Sequence, residues 1–105
     1  MSRLRRRLLR AFVDAGGDMT EDREVQRLLR FVEATLPLLP RKVRSVTELI
    51  WREEGLNHDG VAAHLSRRER QQVSPVATRQ RASRGARLLE NEIRRRPWSP
   101  SARQR

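Results

Sequence analysis

The chain has 105 residues, 24 basic against 13 acidic, for a net charge of +11, and 36% of its residues are hydrophobic. That is enough for one modest domain with a shallow core, and the charge surplus favours a polyanion, most commonly nucleic acid, as partner. The absence of cysteine excludes a disulfide framework and any thiolate ligand or nucleophile. Lys42 is the only lysine, so the positive charge is almost entirely arginine, which forks onto phosphates and guanine edges as a lysine point charge does not.

The first predicted helix spans residues 3–15, with Leu4, Leu8, Leu9, Phe12 and Val13 at helical spacing on one face. Gly16 and Gly17 end it, since glycine accepts the left-handed conformation beyond a helix C-terminus. A second helix is expected to start with Asp18 as cap and Glu21 reaching back, and to carry Val25, Leu28, Leu29, Val32 and Leu36 before Pro37 closes it. Residues 1–38 thus read as a helical hairpin, whose leucines serve internal packing, oligomerisation or partner contact. Arginines interrupt the apolar residues at the N-terminus, and no segment reaches the length of a membrane span. The expected location is the cytoplasm, on the nucleoid if DNA is the partner.

A proline-bracketed connector, Leu36 to Pro40, leads into a third helix over residues 41–54. Val43, Val46, Leu49 and Ile50 point inward with Trp51 beside them, and Gly55 stops the helix. Asn57 caps a fourth helix with Val61, Ala62 and Leu65, followed by a wholly polar stretch over residues 66–72. Ser74 as cap and Pro75 at the first helical position then open a fifth helix, expected to run to about residue 95, with Gly85 as a weak point. Residues 97–105 read as a disordered basic tail. No strand pattern is visible, so the fold class is all-α with about five helices.

The fifth helix carries the functional signal. Thr78, Ala82, Gly85 and Leu89 form a narrow inward stripe whose first three members are small, so the helix can lie close on its neighbours. The opposite side presents Arg79, Gln80, Ser83, Arg84 and Arg87, a composition that suits a major groove. Charge is polarised toward this end: residues 66–105 hold twelve arginines against three acids. The histidines, His58 and His64, are six positions apart and point to different sides of a helix. With no nucleophile–base pair and no glycine-rich phosphate loop, the chain reads as a non-enzyme without cofactor, metal or small-molecule substrate.

Taken in order, Leu39 and Pro40, then Arg44, Val46, Leu49 and Trp51, then Glu54, Gly55, Leu56 and Asn57, then Val61, Ala62 and Leu65, and finally Val73, Ser74 and Pro75 with Arg79 to Leu89, resemble region 4 of the sigma-70 superfamily. The likeness covers residues 39–92 and is closest to the compact regions of extracytoplasmic-function sigma factors. It implies a helix-turn-helix DNA-binding domain over residues 39–96. By resemblance, Arg79, Gln80, Ser83 and Arg84 approach base edges. Arg67, Arg68, Arg70, Arg81 and Arg87, with the backbone amides of Val76 and Ala77, hold phosphates. The sequence departs from the family in its long 66–72 stretch, in the small Thr78 and Ala82, and in having too few residues ahead of position 39 for a polymerase-clamping region. The expected activity is therefore that of a DNA-binding transcription regulator, phage-encoded or acting beside RNA polymerase, with a homodimer left open. The alternatives are a DNA-binding oligomeric packaging protein of the small-terminase kind and a protein-interaction module that contacts RNA polymerase.

Overall fold

The computed structural model describes residues 3–52, 74–96 and 98, and every regular element among them is helical. In chain order these are α1 (Arg3–Asp14), α2 (Asp22–Thr35), a short 3-10 turn (Leu36–Leu38), α3 (Arg41–Arg52) and α4 (Pro75–Arg94). Four of the five expected helices are therefore present, and α4 is the fifth of those expected. The expected fourth helix and the 66–72 stretch lie outside the described residues.

The end of α1 follows from its glycines. Gly16 takes a positive φ of 96°. Its N–H donates to the Val13 carbonyl at 3.0 Å, and the Gly17 N–H donates to the Phe12 carbonyl at 2.8 Å. This paired pattern satisfies two carbonyls left open at the helix end. Gly17 is required for a second reason: a Cβ there would overlap the Phe12 ring.

The start of α2 differs from the expected capping box. Asp18 accepts from the Thr20 N–H at 2.9 Å and the Thr20 hydroxyl at 2.5 Å, closing a local turn. The helix begins later, at Asp22, with Glu21 in the cap position making no side-chain cap bond. Asp22 and Glu24 in the first turn supply the negative charge that favours a helix N-terminus. At the other end, Pro37 sits inside the 3-10 turn and helps bend the chain toward α3.

α1 lies chiefly against α4, and α3 packs along α4 as well. One core joins Leu4, Leu8 and Phe12 of α1, Leu28 and Val32 of α2, and Val43 and Trp51 of α3 to Leu89 and Ile93 of α4. This core draws on residues from both sides of position 38. Within α1, Ala11 is buried while Val13 is exposed, so the apolar face is rotated slightly from the expected one. Thr47 joins the buried face of α3, while Leu49 and Ile50 are only half-buried.

The largest departure is at the C-terminal end. Trp98, expected in a disordered tail, is wholly buried. Its indole N–H donates to the Ile93 carbonyl at 2.8 Å, so the ring caps the end of α4 as it enters the core. Phe12 and Phe31 meet it edge-on with centroids at 5.2 and 5.4 Å, and the Arg96 guanidinium lies 5.1 Å from its centroid. A composition rich in arginine and serine masked a single aromatic anchor.

Candidate nucleic-acid interface

The arginine-bearing helix is fixed at its start by the expected cap. The Ser74 hydroxyl accepts from the Ala77 N–H at 3.1 Å, and Pro75 occupies the first turn. Twenty residues give α4 a length of about 30 Å.

Its inward stripe is the expected one, extended. Thr78, Gly85, Ala86, Leu89 and Ile93 are buried, and Ala82 packs with Ala77 against Val46 of α3. Two threonines tolerate this seam because their hydroxyls are satisfied within their own helices. Thr78 donates to the Ser74 carbonyl at 3.0 Å and Thr47 to the Val43 carbonyl at 2.7 Å. Gly85 lies at a close approach of α3 and α4. A Cβ added there would overlap the Thr47 hydroxyl and stand 3.1 Å from Val43 Cγ1. The glycine expected to weaken the helix is thus what lets it seat so closely.

The outward face carries the candidate base-reading residues together. Arg79, Gln80, Ser83 and Arg84 are all exposed, and Arg87 lies among them. Among the described residues, Arg79, Arg84 and Arg87 make no ion pair. No acid occurs in α4 before Glu90, so the helix itself supplies no negative charge to this face over its first 15 residues.

Two of the phosphate-holding candidates are placed differently. Arg81 lies on the flank, half-buried, with its Nη1 shielded from solvent. The Ala77 amide is already engaged by Ser74, while Val76 stands exposed in the same turn. Arg67, Arg68 and Arg70 lie outside the described residues, as do His58 and His64.

Beyond Arg87 the charges of α4 are tied down. Glu90 is nearly buried and pairs with Arg7 of α1 and, at 3.6 Å, with Arg94. Arg94 also reaches Asp14 at 3.8 Å, and Arg95 bonds Glu92 at 3.1 Å. These pairs set α1 beside the second half of α4. The signal that could have revealed this neighbour is the spacing of Arg3, Arg7 and Arg10 along one side of the first helix.

None of the helices among the described residues is long and apolar enough to cross a membrane, and no group of three or more acidic or histidine side chains there is placed to hold a metal ion. Comparison of the chain with protein-family models, with curated proteins and with solved structures returns no match.

Proposed function

We propose that this chain is a DNA-binding transcription regulator that presents the N-terminal half of α4 to a major groove. The observation that carries this reading is the exposed, acid-free face of Arg79, Gln80, Ser83, Arg84 and Arg87 on a helix seated by small residues. A major groove about 12 Å wide admits one helix with its side chains. Arginine and glutamine are side chains that bond bidentately to guanine and adenine edges there. In helix-turn-helix proteins the N-terminal residues of the recognition helix do this reading, and those residues of α4 bear the charge here. The resemblance of residues 39–92 to sigma region 4 points the same way, with RNA polymerase as the accompanying protein partner.

The test is selection of duplexes from a random pool by the full chain, followed by affinity measured against salt. A recovered motif is expected, and neutralising six phosphates would give a log–log slope of about −5. A palindromic motif would indicate a dimer, and a single short element a monomer. A flat salt dependence, or no enrichment, would overturn the proposal.

A further inference from the structure

The arginines on the free side of α1 are a second basic element beside α4. Leu4, Leu8, Ala11 and Phe12 turn into the core, which leaves Arg3, Arg7 and Arg10 along one edge of the helix. That edge faces α4, because Arg7 pairs with Glu90 and Asp14 lies against Arg94. The Arg7 contact also removes the Glu90 charge that would otherwise interrupt the positive surface between the helices. Arg3 and Arg10 are exposed and make no ion pair among the described residues. The free arginines of α1 therefore lie along the second half of α4, next to the half of the same helix that carries the unpaired arginines.

From this arrangement we infer that α1 is a phosphate-binding rail, holding the backbone of the same duplex whose groove α4 reads, through Arg3 and Arg10. The inference rests on the DNA-binding reading above. Its physical basis is spatial. Packed helices have axes about 8–10 Å apart, whereas a major groove about 12 Å wide is filled by a single helix. With α4 in the groove, a helix at its flank falls over the rim, where the chemistry is phosphodiester rather than base. Arg3 and Arg10 are about 10 Å apart along α1, far enough to reach two different phosphates of one strand. Arg7, held by Glu90, fixes the rail's position, and its two neighbours supply the charge. Contacts of this kind add affinity and register without adding sequence preference.

The experiment compares the full chain with the double variant Arg3→Gln/Arg10→Gln on a selected duplex and on one of scrambled sequence, across a salt series. Both side chains are exposed, so the thermal unfolding midpoint should stay near that of the parent, and circular dichroism checks the helix content. Loss of two phosphate contacts should flatten the log–log slope by about 1.8 and weaken both duplexes equally. Charge reversal in Arg3→Glu/Arg10→Glu should weaken both further while leaving their affinity ratio unchanged. An unaltered slope in a folded variant overturns the rail while leaving α4 as the reader. A change in the ratio between the two duplexes overturns it as well, since it would place these arginines on bases. Absence of salt-dependent binding in the parent chain would remove both readings together.

Discussion

The two halves of α4 are built for different ends. Its second half is structural: Ala86, Leu89 and Ile93 are buried, Trp98 closes the end, and Glu90 is held by Arg7 and Arg94. Its first half has small residues, Ala77, Thr78, Ala82 and Gly85, against α3, and its arginines make no ion pair among the described residues. One continuous helix thus joins a segment with its charges satisfied to one with its charges exposed. Stability and binding should therefore respond to different substitutions along the same element. A rigid helix anchored at one end can present the other without a flexible loop between them.

The sharpest way to break this contrast is at the anchor. Trp98→Ala should cost about 3–5 kcal/mol of unfolding free energy, read by urea denaturation, because the ring fills the core and caps α4. A loss below about 1 kcal/mol would show that the second half does not depend on it.

Next comes the seam beneath the reading half. Gly85→Ala gains helix propensity of about 1 kcal/mol but forces a Cβ onto Thr47, and overpacking of this kind costs about 1–3 kcal/mol. A net loss of stability is expected, partly recovered in a Thr47→Ala background, which removes the overlapping hydroxyl. Stabilisation by Gly85→Ala alone would mean that α3 and α4 sit further apart.

Arg84→Ala addresses the reading half itself. It should leave unfolding free energy within about 0.5 kcal/mol of the parent. It should weaken binding to the preferred duplex by about 1–3 kcal/mol, measured by titration. An equal loss on every duplex would reassign Arg84 from base to phosphate.

The smallest effect lies away from α4, at the turn before α2. The Thr20 hydroxyl and amide donate to Asp18 and hold its carboxyl below the usual carboxylate range. A folded-state value below the unfolded one means that the turn contributes stability at pH values above the ordinary carboxylate pKa of about 3.9. The contribution fades as pH falls through the depressed value. In a melting series from pH 5 downward, Asp18→Asn should lose a small part of the parent's pH dependence while the α4 variants keep it. An identical profile in Asp18→Asn would remove this turn as a contributor.

Much of the site is legible in the amino-acid sequence. Ser74 and Pro75 announce the start of α4, and the 3.6-residue period separates Thr78, Ala82, Gly85 and Leu89 from Arg79, Gln80, Ser83 and Arg84. Both are local properties of the chain, and local physics is enough to order them. Arg81 and the Ala77 amide show the limit of face-reading. A flank position can be half-buried by a neighbouring helix, and a backbone donor can already be used by its own cap. Neither is visible from spacing alone.

The helical class, the capped helix starting at Ser74, the glycine stop at Gly16 and Gly17, and the charged side of α4 all follow from the order of residues along the chain. Each depends on residues within a turn or two of one another. It took tertiary packing to place α1 along α4, to make Trp98 core, and to bring Gly85 against Thr47 of α3. Those outcomes turn on shape between distant segments. Phe12, Phe31 and Trp98 meet because one buried cluster covers more apolar surface than separate units of this short chain could, and no local pattern encodes that choice.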